Sequence, residues 1–185
     1  MKILKILLRD FLIIFERLIS SLPNTYVFNF LRKIYYQQIL NVESIKIILT
    51  GIKFECKKNI TIGKNLVCAS NAEVNACDSK GIFIGNNVAI GPNVYIRCAN
   101  HEISNIEKPI IEQGHSFKII NHQNKDYSVV IENNVWIGAK SIILSGSKIG
   151  EGSVISAGTV VSSEIPKFSI VAGNPGRVIL NRKNN

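Results

Sequence analysis

The chain has 185 residues, of which 46% are hydrophobic and 19% are charged. This composition excludes wholesale disorder, because a chain of this length with so many apolar residues can bury a sizeable core. Lys and Arg number 22 and Asp and Glu number 13, so the formal net charge is +9. The excess suggests an anionic partner, namely nucleic acid, a membrane surface or a phosphorylated cofactor, or else only a lysine-rich surface.

Residues 1–20 predict an amphipathic helix, and residues 27–40 predict a second helix after a break at residues 21–24. The polar side of the first helix holds Lys2, Lys5, Arg9, Asp10, Glu16, Arg17 and Ser20, and its apolar side holds Leu4, Leu7, Phe11, Ile14, Phe15 and Leu18. We favour packing of the apolar side against the body of the protein or a sister subunit. An interfacial helix on an anionic membrane is the second interpretation. Residues 1–43 form this N-terminal helical segment.

Two features of the sequence bear on the compartment. Charged residues interrupt the apolar N-terminus, so it contains no run of about 20 apolar residues that could span a membrane, and no small-residue cleavage site marks a secretory signal. The four cysteines, Cys56, Cys68, Cys77 and Cys98, form neither a C-x-x-C pair nor a zinc module with histidines. We therefore expect free thiols, a cytoplasmic protein and no bound metal.

From residue 60 onward, aliphatic residues recur at an interval of six. One series comprises Ile131, Ile137, Ile143, Ile149, Ile155 and Val161, a second comprises Ile84, Ile90 and Ile96, and a third holds Ile62 and Cys68, with Cys56 one interval earlier. Glycine follows the aliphatic residue at Gly63, Gly85, Gly91, Gly138 and Gly150. A small or β-branched residue often stands four positions after the aliphatic one, as Val88 and Ser141 do.

An interval of six fits neither an α-helix nor a simple strand. It fits a chain that coils into a triangular prism, in which each side is a short strand of about six residues and each aliphatic side chain points inward. Such repeats are typical of parallel β-helices. We expect the glycines at the corners, where φ is positive. Residues 44–99 and 129–165 predict about five coils of about 18 residues each.

One long excursion interrupts the coils at residues 100–128. It is polar and contains all three histidines of the chain, His101, His115 and His122. Excursions of this length are usually functional or disordered. The β-helix domain therefore covers residues 44–168, and residues 169–185 form a C-terminal tail whose last five residues we expect to be frayed.

Four segments resemble the hexapeptide-repeat acyltransferases, and the resemblance covers residues 44–180. They are residues 84–96 (IGNNVAIGPNVYI) followed by Asn100 and His101, residues 133–138 (NNVWIG), residues 155–161 (ISAGTVV) and residues 171–178 (VAGNPGRV). The most similar members are the sugar O-acetyltransferases: the galactoside, maltose and streptogramin-inactivating enzymes and those that decorate bacterial surface polysaccharides. Residues 108–114 (KPIIEQG) resemble the loop of the last group. The resemblance implies a left-handed parallel β-helix, a homotrimer with active sites between neighbouring prisms, and acetyl-CoA as the acetyl donor.

The resemblance also implies roles for individual residues. His101 matches the catalytic histidine, a general base for the sugar hydroxyl, and Trp136 matches a residue that lines the cleft near the thioester. The candidate cofactor-binding residues are Ala139, Ala157, Gly158, Ser162, Ser163, Lys167 and Arg177. Asn71 aligns with a sugar-contacting asparagine, and Asn75 is a neighbouring candidate. Where some members place a hydroxyl near the oxyanion, this chain has Ala139, so only its backbone N–H could donate.

The expected function is O-acetylation of a sugar hydroxyl, in a bacterial surface polysaccharide (capsule, O-antigen) or its precursor, with no nucleic-acid partner. Within the same fold, an amine or an antibiotic hydroxyl could be the acceptor. A non-catalytic scaffold and a zinc carbonic anhydrase, which needs three converging histidines, are alternatives of other classes. We expect His115 and His122 on the loop surface. Each site residue also has a structural alternative: solvated loop or tail for His101 and Arg177, trimer packing for Trp136, and corner geometry for the small residues and Asn71.

Overall fold

A computed structural model describes residues 2–184, except for the side chains of residues 2–5, 8 and 9. Helix α1 spans Lys2–Ser21 and helix α2 spans Tyr26–Ile39, so both predicted helices are confirmed. Thr25 ends the break between them, because its hydroxyl accepts a hydrogen bond from the Phe28 N–H and caps α2. The predicted positions of Lys2, Leu4, Lys5 and Arg9 on the two sides of α1 lie outside the described side chains.

The rest of the chain winds into a prism with three parallel faces, which we name A, B and C. Face A contains Ile45–Ile48, Leu66–Cys68, Ala89–Ile90, Trp136–Ile137, Val154–Ile155 and Ser169–Ala172; face B contains Lys53–Glu55, Glu73–Asn75, Tyr95–Arg97, Ile142–Ile143 and Val160–Val161; face C contains Ile60–Ile62, Ile82–Ile84, Val129–Ile131, Lys148–Ile149 and Glu164–Ile165. The strands have two to four residues, shorter than the predicted six, because the corners take up the remainder. The predicted left-handed parallel β-helix is confirmed.

Three corners connect the faces. The first corner joins face A to face B, the second joins B to C, and the third joins C to A. The loop at residues 100–128 leaves the prism at the second corner, between Tyr95–Arg97 and Val129–Ile131. The tail returns along face A, where Arg177–Asn181 pairs antiparallel with Ser169–Ala172. A 3-10 turn, Arg182–Asn184, follows, and residue 185 lies outside the described chain, so the frayed end stays a prediction.

The inward positions of the repeats form one continuous column. The predicted aliphatic residues from Ile84 to Val161 are buried along the axis, as is Cys68. Buried serines beside the column bond to the next coil; the Ser141 hydroxyl, for example, donates to the Ser156 carbonyl at 3.0 Å. Such bonds satisfy buried hydroxyls through the neighbouring coil, whereas the buried hydroxyls of Thr159 and Ser169 have no hydrogen-bond partner among the described residues. The repeat pattern is confirmed except at its start, since Ile62 is only half-buried and Cys56 is exposed.

The glycines that follow the aliphatic residues serve a different purpose from the predicted one. None of these five has a positive φ. At Gly138 and Gly150, an added Cβ would lie 2.6 Å from a backbone nitrogen of the next coil, so glycine is required by the close approach of the backbones. The left-handed conformation is taken up instead by asparagines, such as Asn87 and Asn93, and by other glycines, such as Gly152 and Gly158.

Two of the four cysteines are bonded, so the predicted set of free thiols is wrong for them. Cys56 and Cys77 form a disulfide with Cα atoms 5.1 Å apart. Their separation of 21 residues is close to one turn of the coil, which brings both to the second corner on successive coils. Cys68 and Cys98 are free and buried, and burial raises the pKa of each thiol to about 12.

Both helices pack across the first coil. Arg32 of α2 is fully buried, and its guanidinium donates to the carbonyl oxygens of Ile19 and Ile48. These bonds fix the end of α1, α2 and the first strand to one another. The apolar side of α1 is exposed, so the favoured packing against the body of the same chain is wrong for Leu7, Phe11, Ile14 and Leu18 and for most of Phe15. Within residues 2–184, neither helix has the length and apolar character needed to cross a bilayer.

Candidate active site at the corners of the prism

His101 stands where the coil gives way to the loop. It belongs to a short strand, Asn100–His101, that pairs antiparallel with His115–Ser116 and places His101 opposite His115. The two imidazole rings stack with centroids 5.2 Å apart. The His101 side chain is exposed, and within the described chain no side chain is hydrogen-bonded to its ring. The imidazole is therefore accessible to a molecule that approaches the second corner.

His115 and Asp78 join His101 in a cluster that sequence reasoning missed. Nδ1 of His115 lies 3.9 Å from Oδ2 of Asp78. Asp78 occupies the second corner one coil before His101, with φ of 55°. Because Asp78 precedes His101 by about one coil, the repeat pattern alone could have placed both at the same corner. The repeat pattern could not place His115, because its position depends on how the loop folds back.

Glu102 does not orient the His101 ring, although it is the adjacent carboxylate. Its Oε1 accepts hydrogen bonds from the backbone N–H groups of Ile103 and Ser104, both at 2.9 Å. Hydrogen bonds from the backbone and hydroxyl of Ser104, followed by the Ile103 N–H, lower the pKa of Glu102. Glu102 thus stabilises the turn that begins the loop.

The side chain of Gln113 stabilises the fold of the loop through hydrogen bonds to its backbone. Its amide nitrogen donates to the carbonyl oxygens of Asn105 and Lys108, both at 2.8 Å, and its amide oxygen accepts from the Asn105 N–H at 3.0 Å. Gly114 follows with φ of 81° and allows the chain to turn back toward His101. These two residues close the first half of the loop.

The second half of the loop is fastened to face C. His122 lies in the hairpin formed by Ile120–His122 and Lys125–Tyr127, and its ring packs on Phe83 with centroids 4.6 Å apart. His122 therefore has a packing contact on face C, whereas His115 stacks on His101 at the second corner. Among residues 2–184, no cluster of three or more metal-ligating side chains is formed.

Four of the candidate cofactor-binding residues, Ala139, Ala157, Gly158 and Arg177, lie in a row along the first corner. The Gly158 N–H donates to the Ala139 carbonyl at 2.9 Å, and Ala157 lies against Gly138 on the preceding coil. Ala157 and Gly158 are exposed, and a Cβ added to Gly158 would meet no atom within 4 Å. Arg177 lies at the end of this corner and is exposed. This row of small residues ending in a guanidinium gives a thin, polyanionic chain room to lie against the backbone and a cation for its phosphates.

The backbone N–H of Ala139 is a free donor in this row. Within the described chain it has no hydrogen-bond acceptor, whereas the flanking Gly138 and Lys140 N–H groups donate to Ile155 and Pro92. Trp136 lies three residues earlier on face A and points outward, with 56% of its surface exposed. A large apolar ring and an unused donor are thus close neighbours in sequence on the outside of the prism.

The remaining cofactor candidates lie on other corners. Ser162 and Ser163 are exposed at the second corner of the last coil. Lys167 is at the third corner, where its ammonium group lies 3.3 Å from Glu151 and 3.9 Å from Glu132. In a single chain these three residues are therefore not part of the first-corner row.

The two candidate sugar-binding asparagines differ in their surroundings. Asn71 is exposed at the first corner with φ of 60°, and its side chain packs over Gly51. Asn75 is buried on face B, where its Nδ2 donates to the Glu55 carboxylate and its Oδ1 accepts from the Cys77 N–H. The left-handed φ of Asn71 therefore fits its position at a corner. The side-chain hydrogen bonds of Asn75 are all made to other residues of the same chain.

One prism does not bring the candidate residues together. His101 is at the second corner, which in a three-sided coil lies opposite face A and Trp136. The row of Ala139, Ala157 and Gly158 is separated from His101 by the width of face B. A site that contains all of these residues requires the second corner of one chain to face the first corner of another.

The comparisons with known proteins agree with this architecture. Residues 128–163 match the family model described as bacterial transferase hexapeptide (six repeats). A galactoside O-acetyltransferase of Lactococcus lactis is 37% identical over 118 residues, which are 64% of this chain and 51% of that protein. The chain thus spans about half the length of the curated relatives it matches.

Two solved structures share most of the fold. The crystal structure of a maltose O-acetyltransferase from Clostridium difficile 630 has a TM-score of 0.66 and 28% identity, and the match covers 94% of this chain and 85% of that one. A galactoside acetyltransferase in complex with coenzyme A has a TM-score of 0.68 and 27% identity, covering 95% of this chain and 80% of that one.

Proposed function

We propose that this chain is a hexapeptide-repeat transferase, namely an acetyl-CoA-dependent O-acetyltransferase that moves an acetyl group to a sugar hydroxyl. The observation that carries the proposal is the exposed His101 imidazole at the second corner, stacked on His115 at the mouth of the loop. We further propose that the sugar belongs to a bacterial surface polysaccharide (capsule, O-antigen) or its precursor. The names of the similar proteins support a sugar acceptor.

In the proposed mechanism His101 removes the proton from the attacking hydroxyl. The hydroxyl oxygen forms a bond to the thioester carbonyl carbon, and the carbonyl oxygen becomes an oxyanion. The free N–H of Ala139 donates to that oxyanion. When the carbon–sulfur bond breaks, the His101 imidazolium returns its proton to the departing thiolate, so the products are an acetyl ester and free coenzyme A.

We propose that three chains form the active sites jointly. The distance between His101 at the second corner and the row at the first corner is spanned if prisms pack side by side, with one corner of each against a neighbour. A closed ring of three such contacts gives three equivalent sites. In this arrangement Trp136 lines the cleft near the thioester, and Ser162, Ser163 and Lys167 are candidates for polar contacts with the cofactor from either chain.

The row at the first corner fits acetyl-CoA. Ala139, Ala157 and Gly158 leave space for the pantetheine arm, and Arg177 supplies a cation for a phosphate group. For the acceptor, Asn71 is exposed and available to a sugar bound between chains, while Asn75 would act by holding the Glu55 carboxylate. Because acetyl-CoA is a cytoplasmic metabolite, we propose a cytoplasmic enzyme, with peripheral contact at the inner membrane face.

The activity is tested by release of coenzyme A thiol from acetyl-CoA in the presence of single acceptors. The panel contains a galactoside, maltose, nucleotide sugars, an amino sugar and purified capsular polysaccharide. We expect thiol release with a sugar hydroxyl acceptor and a product whose acetyl group is removed by hydroxylamine, as an ester is. A hydroxylamine-resistant product made only with the amino sugar would replace this proposal by N-acetylation, and no release with any acceptor would favour a scaffold.

The shared site is tested by complementation. We pair His101→Ala, which removes the base, with Ala157→Phe, which blocks the exposed row, and co-express the two chains with different tags. In mixed trimers the site between an intact His101 and an intact row is restored, and random assembly predicts about a quarter of wild-type activity. If both halves of each site came from one chain, the mixture would be as inactive as its two components.

A further inference from the structure

Helix α1 is oriented with its polar side toward its own protein. The Ser20 hydroxyl is buried and donates to the Ile52 carbonyl at 2.8 Å, and Glu16 pairs with Lys57 of the first coil at 2.7 Å. The opposite stripe is exposed: 60% of Leu7, 62% of Phe11, 60% of Ile14 and 59% of Leu18 are accessible. An ordinary surface helix has the reverse arrangement, so this stripe is unusual in leaving its apolar side chains exposed.

Helix α2 extends the same exposed surface. Arg32 and Tyr36 form its buried side, and its outward side exposes large hydrophobic residues. The Phe15 and Tyr35 rings meet at 5.7 Å and join the two helices. We name as the outer helical surface the residues Leu7, Phe11, Ile14, Leu18, Val27, Phe30, Leu31 and Ile34. Contiguous exposed apolar surfaces of this kind mark interaction sites.

The positive charge of the molecule is concentrated in the part of the sequence that forms both helices and the first coil. Residues 1–64 hold eleven of the Lys and Arg residues and four of the Asp and Glu residues, a net charge of +7 out of +9. A groove of about 480 Å³ beside α2 is lined by Phe30, Lys33, Lys46 and by Tyr26, which is 90% exposed. Cations and aromatic rings at the edge of an apolar helical face are typical of helices that lie in the headgroup region of a bilayer.

We propose that the outer helical surface docks on an anionic lipid bilayer, with α1 and α2 lying in the membrane plane. A second copy of the same surface would bring Lys33 and Lys46 of two chains toward each other, whereas anionic headgroups neutralise these lysines. The membrane part of the proposed function rests on this surface, because docking would hold the active sites beside glycans that are assembled on lipid carriers. The binding itself requires neither acetyl-CoA nor an acceptor.

The apolar contribution is tested by flotation with lipid vesicles. Wild-type protein is mixed with vesicles of phosphatidylcholine and phosphatidylglycerol, or of phosphatidylcholine alone. We expect binding to the anionic vesicles and at least ~10-fold weaker binding by the double variant Phe11→Ser/Leu18→Ser, since both side chains are exposed and leave the core intact. The control is Ile106→Ser in the loop, an apolar residue with 95% exposure, which should bind like wild type.

The charge contribution is tested with lysine variants. Lys33→Gln/Lys46→Gln should weaken binding to anionic vesicles by about fivefold per lysine, and added salt should reduce the difference from wild type. The matched control, Lys140→Gln/Lys183→Gln, removes one lysine from the first corner and one from the tail and should bind like wild type. Equal losses in both pairs would mean that overall charge, rather than this surface, attracts the vesicles, and would overturn the proposal.

Oligomer mass distinguishes the lipid surface from a second copy. The proposal predicts that Phe11→Ser/Leu18→Ser keeps the mass of the wild type in light scattering. A lower mass would assign the surface to contacts between copies, and equal flotation of this variant and wild type, or equal binding to both vesicle types, would also overturn the proposal. Because these measurements contain no acetyl-CoA, a failure to detect acetyl transfer affects only the proposed enzymatic function.

Discussion

The coils and the segments that leave them place their apolar side chains in opposite environments. Ile137, Ile143 and Ile149 in the coils are fully buried, whereas Phe11 in α1 and Ile106 in the loop are largely exposed. In the coils the inward aliphatic residues pack against their equivalents one turn away in the same chain. The contrast shows that the core of the coils is complete within one chain, and it supports the proposal that other molecules cover the exposed residues of α1, α2 and the loop.

The largest expected effect tests whether the chemistry resides on the loop. Replacing His101 with Ala should reduce kcat by about 10³-fold, because a positioned general base typically contributes ~10²–10⁴. Thermal unfolding should be unchanged, since the His101 side chain is exposed. Steady-state kinetics and a melting curve measure the two quantities.

The matched control for this change is His122→Ala in the same loop. His122 packs on Phe83 of face C, away from the second corner, so its loss should leave kcat within a few-fold of wild type. Near wild-type turnover by the His101 variant, or equal losses in both variants, would remove His101 from its role as the base.

The next prediction concerns stability and compares one isoleucine from each region. Ile137→Ala creates a cavity in the aliphatic column and should lower the free energy of unfolding by about 2–5 kcal/mol. Ile106→Ala, at an exposed loop position, should change it by less than about 0.5 kcal/mol. Denaturant unfolding measures both. Comparable losses would mean that Ile106 is buried in the assembled protein. The loop would then pack against another subunit.

The coils could be predicted from the sequence because their contacts are periodic. An inward residue such as Ile143 repeats every six positions, so its burial can be read without knowing the fold of any distant segment. The periodic pattern did not reveal why Gly138 is needed, since close approach of the next backbone and a positive φ both favour glycine. It also concealed Cys56, which fits the series by spacing but pairs with Cys77 at a corner.

The excursions could be predicted only in outline. The helical period of α1 identified its two sides, but the side that faces the protein is set by tertiary contacts such as the Glu16–Lys57 ion pair. Likewise the sequence identified His101 by resemblance, whereas the stacking of His115 depends on the fold of thirteen intervening residues, including the Gln113 bonds. Contacts of this kind have no period and leave no pattern in a single sequence.

A smaller effect is expected at the end of the first corner. Arg177→Gln should raise the KM for acetyl-CoA about tenfold with little change in kcat, because a phosphate contact contributes equally to the ground and transition states. Lys183→Gln is the control for the loss of a positive charge in the tail. A change confined to kcat would contradict a phosphate-binding role and would place Arg177 nearer to the reacting atoms.

The smallest effect is expected in the reactivity of the cysteines, which compares the free thiols inside the coils with the disulfide at a corner. Burial raises the pKa of Cys68 and Cys98 to about 12, so at neutral pH almost no thiolate is present to react. We expect no rapidly reacting thiol in the native protein with a disulfide exchange reagent. Two thiols should react after denaturation without reductant, since Cys68 and Cys98 are the free cysteines.

Reduction before denaturation should increase the count to the full four cysteines of the chain, as the bond between Cys56 and Cys77 opens. Raising the pH should increase native reactivity only as the solution approaches the raised pKa of the buried thiols, because the neutral form predominates below it. Four thiols in unreduced, denatured protein would show that the corner cysteines are not bonded. A thiol that reacts rapidly in the native protein would instead show that the coil around it opens readily. That coil could then no longer be counted among the parts of the molecule that are closed within one chain.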